Sequence, residues 1–387
     1  MTDNRYINMR TFSMTGVLAC AATLAALLAG CGRTDTELPR SEGSAELDAA
    51  LAAYIREADE KDININSIII IQNGKVTGEA YFNGWEADMP HQMWSTSKSF
   101  TSFAVGFAIE EGLLSLDDRI ADIFPEESGA VLDTLTDEAY RQNLMEADIK
   151  DLLVMASGQK HDPTYVLGER YSKDGLAGID SLDIFLRKHG KDLITDFFTV
   201  PFEEKPGTYN CYNSIGSFML SAAVQKVTGE KVADYLYPRL FKPLGIERPQ
   251  WDEVQGINCG GWGLWLKPED MAKTGVMMLG HGRYAGRQIL PARYLAEASE
   301  SFFSWDLPSG STSDRDRYHA TGYGYQIWQN PDAFYTAGMW GQFIYVFPGM
   351  NAVIAATAEV KDDDSKESAL IWKHIVPVLR KESETSL

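Results

Sequence analysis

The stretch His91–Gly112 reads HQMWSTSKSFTSFAVGFAIEEG. Its apolar spacing predicts an amphipathic helix from Ser97 onward. Ser95 and Lys98 are three residues apart at the start of this helix, so their side chains share one face within contact reach. A serine hydroxyl is a poor nucleophile at neutral pH and needs a nearby base, and the start of a helix favours a developing oxyanion. The stretch therefore predicts a serine nucleophile paired with a lysine.

An S-x-x-K pattern alone is weak, because the chain contains a second one at Ser157–Lys160. There Gly158 follows the serine at once and Pro163 lies just beyond, so we interpret this pair as part of a turn. On spacing alone, Ser95 would be an N-cap serine beside a solvated lysine. The flanking residues favour the catalytic interpretation instead.

Two further motifs accompany the pair Ser95–Lys98. They are Pro206-Gly207-Thr208 followed by Tyr212, and Thr336-Ala337-Gly338. Together with the stretches Ile149–Gly158 and Gly260–Gly275, the three motifs resemble the serine β-lactamase and penicillin-recognising family over about residues 45–380. Within that family the chain looks most like the class C-type esterases, D-aminopeptidases and 6-aminohexanoate-dimer hydrolases.

The resemblance implies a role for each matching residue. Ser95 would be the acylated nucleophile, Tyr212 the general base, and Lys98 the group that keeps both in a reactive protonation state. The backbone N–H groups of Ser95 and Met339 would form the oxyanion hole. The residues expected to contact substrate are Ser214, Thr336, Gly338, Trp340 and Tyr165.

Two departures from the family pattern bear on the substrate. Ser214 stands where the lactamase-type second motif has Asn, and Thr336 stands where lactamases and DD-peptidases carry a Lys or His that holds the substrate carboxylate. We therefore expect a serine hydrolase that cleaves an amide or ester through an acyl-enzyme on Ser95, in the manner of the 6-aminohexanoate-dimer hydrolases or esterases. The alternatives are a β-lactamase or DD-peptidase, and a non-catalytic penicillin-fold binding lipoprotein.

The rest of the chain predicts where this helix sits. The run Ser67–Gln72 (SIIIIQ) reads as a buried strand and Asn73-Gly74 as a hairpin turn. Four further strands are predicted over residues 323–328, 334–337, 342–347 and 352–358, and a last helix over residues 368–380. We predict an α/β (α+β) fold of the β-lactamase/transpeptidase-like type. An antiparallel sheet lobe is built from both chain ends (residues 45–93 and 281–387) and flanked by helices, and a mostly helical lobe (94–280) is inserted.

The N-terminus reads as a targeting segment. Residues 1–30 combine an early positive charge with a short apolar run that ends Leu28-Ala29-Gly30 before Cys31. This pattern resembles bacterial lipoprotein signals, so we expect lipidation of Cys31, a flexible tether over residues 31–44, and an exported protein anchored to a bacterial membrane, with the outer membrane indicated by the Gly after Cys31. An exported compartment permits a disulfide between Cys211 and Cys259, and two unbonded thiols are the alternative.

The composition excludes several other classes of protein. The 387 residues carry 35 Lys and Arg against 55 Asp and Glu, a formal net charge of -20 that disfavours nucleic-acid binding. The six histidines and four cysteines show no metal-ligand spacing. We therefore expect a small-molecule substrate, no cofactor and no metal.

Overall fold

The protein is described here by a computed structural model that covers residues 36–171, 192–306 and 317–385. Its helices of ten or more residues are α1 (Ala45–Glu60), α2 (Ser97–Glu110), α3 (Ser214–Thr228), α4 (Pro268–Leu279), α5 (Ser365–His374) and α6 (Val376–Thr385). Shorter helical segments span Trp94–Thr96, Ile120–Ile123, Pro125–Leu132, Glu138–Glu146, Ile149–Leu153, Pro163–Tyr171, Leu193–Phe198, Val232–Leu236, Tyr237–Phe241, Ala292–Ala298 and Pro348–Met350.

One large antiparallel sheet joins the two ends of the chain. Its strands are β1 (Ile65–Gln72), β2 (Lys75–Tyr81), β3 (Phe303–Ser304), β4 (Gly322–Tyr323), β5 (Trp328–Gln329), β6 (Phe334–Gly338), β7 (Gln342–Phe347) and β8 (Ala352–Ala358). Their order across the sheet is β2-β1-β8-β7-β6-β5-β4-β3. Two-residue strands also pair His91–Gln92 with Trp265–Leu266, Glu253–Val254 with Ile257–Asn258, and Arg283–Tyr284 with Arg287–Gln288. Because β1 pairs with β8, the predicted sheet built from both chain ends is confirmed.

The isoleucine run is uniformly apolar because both faces of the sheet are covered. Successive side chains of a strand point to opposite faces. Ile68 and Ile70 lie in one core cluster with α1 and α5, whereas Ile69 and Ile71 lie in another with α2 and α4. All four are fully buried. Each such burial contributes about 1.5–3 kcal/mol to the free energy of unfolding, so the run fixes the centre of the fold.

The division between the lobes differs from the predicted one at residue 280. Helix α4, which falls inside the predicted helical lobe, packs against β8, β7 and β1. A Cβ added to Gly275 of this helix would lie 2.4 Å from Val353 of β8, so the helix approaches the sheet as closely as glycine permits. The helical lobe therefore ends before Pro268.

The predicted flexible tether over residues 31–44 is wrong for residues 36–44. Leu38 is 4% exposed, and the guanidinium of Arg40 pairs with the carboxylates of Glu79 and Glu269. Backbone hydrogen bonds between this segment and Val76 extend the sheet edge at β2. The segment covers an edge strand whose N–H and C=O groups would otherwise be exposed. Residues 1–30 and Cys31 lie outside the described residues.

Two predicted elements are divided in the structure. The strand expected over residues 323–328 is two short strands, β4 and β5, because Gln326 turns the chain with φ at 59°. The last helix is broken at Ile375 into α5 and α6, since Pro377 lacks the N–H that would continue the helix. In the described parts of the chain no helix is long and apolar enough to cross a membrane. Cys211 and Cys259 are not joined by a disulfide.

The end of β6 presses against the backbone that precedes Ser95. A Cβ added to Gly338 would lie 2.2 Å from the carbonyl oxygen of Met93. We therefore expect Gly338→Ala to lower the free energy of unfolding by about 1–3 kcal/mol, the usual cost of forcing extra volume into a packed site. Chemical denaturation measures this value. Gly349→Ala is the matched control, because its added Cβ meets nothing within 4 Å; equal effects of the two substitutions would contradict the close packing at Gly338.

Candidate active site

Ser95 lies in a strained turn that leads into α2. The 3₁₀ segment Trp94–Thr96 precedes the helix, and Trp94 has φ at 45°, a region that bulky residues rarely adopt. The Thr96 hydroxyl donates a hydrogen bond to the carbonyl of Gln342 at 2.9 Å, which ties the turn to β7. The side chain of Ser95 is only partly buried. The turn therefore presents the Ser95 hydroxyl at the surface of a cavity while its neighbours are held in the core.

Lys98 lies directly beneath Ser95 and is 1% exposed. Its Nζ is 2.8 Å from Ser95 Oγ, 2.9 Å from Ser214 Oγ and 2.8 Å from the carbonyl oxygen of Gly261. Burial lowers the pKa of Lys98 to about 7, against the opposing charge of Asp162. The three contacts suit both forms of the amine. An ammonium donates to all three oxygens, and a neutral amine donates to Ser214 and Gly261 while accepting from the Ser95 hydroxyl.

Tyr212 stands beside the same pair. Lys98 Nζ lies 4.8 Å from the centre of the Tyr212 ring, and the ring stacks on Trp328 at 5.7 Å. Burial raises the pKa of Tyr212; a hydrogen bond with Ser95 lowers it to a smaller extent and the charge of Asp162 raises it further. The phenol is therefore protonated at neutral pH. A protonated phenol cannot accept a proton, whereas the Lys98 amine, with its pKa lowered to about 7, is partly neutral at that pH.

Ser214 is held at the N-terminus of α3. The side chain of Asn213 caps this helix by accepting from the backbone N–H of Gly216. Ser214 is 4% exposed, and its hydroxyl contacts Lys98. A Cβ on Gly261 would lie 2.5 Å from the carbonyl oxygen of Ser214, so glycine is needed where this loop meets α3. The Ser214 hydroxyl thus contacts the Lys98 amine. The side chain of Ser214 does not line the cavity.

The two residues of the predicted oxyanion hole, Ser95 and Met339, line one cavity. Met339 lies at the end of β6. The next residue, Trp340, has φ at 69°, and its ring packs edge-on against the ring of Trp94 at 4.7 Å. The packing of Trp94 against Trp340 therefore stabilises strained backbone conformations next to Ser95 and Met339, whose N–H groups form the predicted oxyanion hole.

A cavity of about 400 Å³ opens above Ser95, and its walls include Tyr212, Gly338 and Met339. The structure thus brings Ser95, Lys98 and Tyr212 together with the predicted oxyanion residue Met339.

Besides Ser214, three further residues predicted to contact substrate do not line the cavity, namely Thr336, Tyr165 and Trp340. Thr336 is fully buried, and its hydroxyl donates to Thr96 Oγ1 at 3.4 Å. Tyr165 is 57% exposed on the helix Pro163–Tyr171, and neither it nor Trp340 lines the cavity among the described residues. The prediction of substrate contact is wrong for the Thr336 side chain, because residues on β6 alternate between two faces and this one points into the core.

Sequence reasoning missed two contributors to the site. Asp162 caps the helix Pro163–Tyr171 through the N–H of Thr164 at 2.8 Å, and its charge acts on both Lys98 and Tyr212. An Asp-Pro pair is a recognisable helix-start signal, so this residue was detectable. Trp328 was not, because its place against Tyr212 depends on the order of the strands.

The second S-x-x-K sequence, Ser157–Lys160, and His91 have ordinary structural surroundings. Ser157 donates to Gln159 Oε1 at 3.0 Å, and Gly158 has φ at 96°, as expected for the turn predicted there. His91 stacks on Trp85 at 4.0 Å, and burial lowers its pKa to about 4. In the described parts of the chain, no cluster of His, Cys, Asp and Glu is suited to a metal ion.

Comparison with known proteins shows which family and which solved structures this chain is similar to. The model of the family described as Beta-lactamase matches residues 51–374. The chain is 23% identical over 360 residues to a 6-aminohexanoate-dimer hydrolase of Paenarthrobacter ureafaciens, covering 87% of this chain and 83% of the relative. Among solved structures it resembles EstCE1, a hydrolase with promiscuous acyltransferase activity (TM-score 0.63, 16% identity, 85% and 98% of the two chains), and a family VIII carboxylesterase (TM-score 0.60, 15% identity, 86% and 98%).

The family match covers most of the chain, and the solved structures share its fold. The helix-flanked antiparallel sheet, with a serine and a lysine at the start of α2, agrees with both findings. The chain therefore belongs to the β-lactamase/transpeptidase-like family, a family of serine hydrolases of amidase, esterase and β-lactamase type.

Proposed function

We propose that this protein hydrolyses an amide or ester bond of a small molecule through an acyl-enzyme on Ser95. The contact of 2.8 Å between Lys98 Nζ and Ser95 Oγ, beneath a cavity that also contains Tyr212, is the observation that carries the proposal. A buried amine with a pKa near neutrality is suited to take the proton of an adjacent hydroxyl. The names of the relatives, a 6-aminohexanoate-dimer hydrolase and a family VIII carboxylesterase, agree with this chemistry.

Ser95, Lys98 and Tyr212 account for every proton transfer in the proposed acylation step. Neutral Lys98 accepts the hydroxyl proton while Ser95 Oγ attacks the carbonyl carbon of the substrate. The backbone N–H groups of Ser95 and Met339 stabilise the resulting oxyanion. The Tyr212 phenol donates its proton to the departing amine or alcohol, and the ammonium of Lys98 then restores that proton. In the second half, water takes the place of the leaving group and releases the acid.

Two observations weigh against a β-lactamase or DD-peptidase. The side chain of Thr336 is fully buried, so the third motif offers no group for a substrate carboxylate. Among the described residues that line the cavity there is no lysine or arginine. A carboxylate that enters such a cavity loses hydration and meets no permanently charged cation, since the basic side chain among these residues is the imidazole of His319.

A purely binding role is disfavoured by Lys98 itself. Burying an amine so that its pKa falls from 10.5 to about 7 costs stability. A binding protein has no need to hold this amine in contact with a serine hydroxyl. The arrangement is useful when the hydroxyl must lose its proton.

Replacement of the nucleophile should abolish the reaction. We expect Ser95→Ala to lower the hydrolysis of 4-nitrophenyl esters by at least about 10³-fold and to abolish covalent labelling by a fluorophosphonate probe. Ser157→Ala, in the second S-x-x-K sequence, is the matched control and should retain both signals. Labelling that persists in Ser95→Ala would show that another residue is the nucleophile.

The pH dependence distinguishes Lys98 from Tyr212 as the base. Because the pKa of Lys98 is lowered to about 7, the neutral form is lost as the pH falls below that value. We expect kcat/KM to fall about tenfold per pH unit below pH 7 and to level off above it. A rate that keeps rising above pH 9 would instead assign the base to Tyr212, whose pKa is raised.

We further propose that the protein is exported and carries a lipid on Cys31, as the pattern of residues 1–31 indicates. The docked segment that starts at residue 36 would then hold the enzyme close to the membrane. In a bacterial host, metabolic labelling with an alkyne analogue of palmitate should mark the wild type and Cys20→Ser, whereas Cys31→Ser should be unlabelled. Equal labelling of Cys31→Ser and the wild type would exclude lipidation at this thiol.

A further inference from the structure

The predicted oxyanion hole depends on the turn that joins β6 to β7. The turn consists of Met339, Trp340 and Gly341. The N–H of Gly341 donates to the carbonyl of Gly338 at 3.2 Å. Trp340 and Gly341 have φ at 69° and 103°, so neither residue continues the extended strand. The direction of the Met339 N–H therefore depends on the contacts that hold these two residues.

The segment that leads from β8 into α5 holds the first of them. The carboxylate of Asp364 accepts a hydrogen bond from the N–H of Trp340. The carbonyl of Trp340 accepts a hydrogen bond from the N–H of Val360 at 3.0 Å. Both polar groups of the Trp340 backbone are thus bonded to this segment, which leaves Gly341 as the residue whose position another contact must fix.

Gly341 lies against the side chain of Glu367 on α5. A Cβ added to Gly341 would be 2.2 Å from Glu367 Oε2. In glycine a hydrogen occupies this direction, so a Cα–H bond of Gly341 points at the carboxyl oxygen. Contacts between a Cα–H and an oxygen have C···O distances of about 3.3–3.6 Å and stabilise weakly. The carboxyl oxygen therefore limits how closely the turn packs against α5.

Glu367 is buried as a neutral group. Its side chain is 0% exposed, and Oε1 accepts a hydrogen bond from the Tyr54 hydroxyl at 3.3 Å. Oε2 has no hydrogen-bond partner among the described residues. Burial raises the pKa of Glu367 well above its ordinary value, the bond from Tyr54 lowers it, and the charge of Asp364 raises it. A buried carboxyl group with a free oxygen stabilises a fold less than an apolar side chain of the same size, so stability alone does not explain a glutamate here.

We propose that Glu367 is a positioning residue of the oxyanion hole, because its Oε2 sets the position of Gly341 and thereby the direction of the Met339 N–H. The inference rests on the proposed function, which assigns that N–H to the oxyanion. A methyl group in place of Oε2 requires about 3.5–4.0 Å from the Cα of Gly341, more than an oxygen does. An apolar residue at position 367 therefore displaces the turn, whereas an amide of the same shape keeps it in place.

Two substitutions of Glu367 test this role in the hydrolysis of a 4-nitrophenyl ester. We expect Glu367→Gln, which keeps the shape and has no charge, to retain kcat within about twofold. Glu367→Leu should lower kcat about tenfold or more, since complete loss of one oxyanion donor costs about 10²–10³ in rate. KM should change by less than about threefold, because the N–H acts on the transition state rather than on the bound ester. Labelling by the fluorophosphonate probe should slow by the same factor as kcat.

Two controls separate this role from a general loss of stability. The double variant Tyr54→Phe/Glu367→Leu removes both partners of the buried hydrogen bond, so chemical denaturation should find it about as stable as the wild type. Its kcat should nevertheless be as low as that of Glu367→Leu. Leu370→Ala creates a cavity in the core beside the same helix and should lower stability without lowering kcat. A double variant with the kcat of the wild type, or an equal loss of kcat in Leu370→Ala, would overturn the proposal.

Hydrogen exchange measures the position of the turn without turnover. Mass spectrometry of peptides that contain residues 339–342 should show amide exchange about tenfold faster in Glu367→Leu than in the wild type, and unchanged exchange in Glu367→Gln. If exchange changes in this way but the wild type neither hydrolyses esters nor reacts with the probe, the proposed hydrolysis fails and the contact of Glu367 with the turn stands. If the wild type hydrolyses esters and Glu367→Leu leaves both kcat and exchange unaltered, the role of Glu367 fails and the hydrolase stands.

Discussion

The hydrogen bonds of the buried Lys98 amine hold together the segments that form the candidate active site. A lysine that is 1% exposed is stable only if every polar contact of its Nζ is satisfied. The three oxygens that satisfy it belong to Ser95 before α2, Ser214 at the start of α3 and Gly261 in the loop before α4. Those segments are distant in sequence, so the fold of the helical region is a condition for the chemistry at Ser95. The close approach at Gly261 follows from the same requirement.

Strained backbone borders this centre on both sides. Trp94 and Trp340 have positive φ values, which cost about 1–3 kcal/mol each for residues with a side chain. Their rings contact each other, and the segments that contain them are joined where Gly338 meets the carbonyl of Met93. The packing of these rings and segments therefore offsets the backbone strain at Trp94 and Trp340. Such strain is typical of sites whose backbone N–H groups must point in one direction.

The sequence predicted the parts of the fold that depend on local pattern. Strands β7 and β8 have the predicted bounds, and the S-x-x-K spacing placed Lys98 against Ser95. The division of the last helix at Ile375 was not foreseen, although Pro377 gave a local signal for it. The face on which Thr336 lies was not predicted either, because strand alternation fixes faces only relative to one another. What covers each face is decided by strand order, and strand order is a long-range property. The same limit explains why Asp364, from the end of the chain, was first recognised as part of the cavity in three dimensions.

The part of the cavity around Ser95 and the part along β6 and β7 differ in the side chains that form them. Around Ser95 the proposed reaction requires an amine that loses its charge near neutral pH, and burial lowers the pKa of Lys98 to about 7. Along β6 and β7 the cavity is lined by the aromatic side chains of Tyr335, Phe343 and Tyr345. In this chain Ser95 and Lys98 are carried by the turn before α2 and by α2 itself, whereas β6 and β7 carry further walls of the cavity. A fully buried Thr336 leaves the third motif without a group for an anion, which is the property that separates this chain's proposed substrates from carboxylate-bearing lactams.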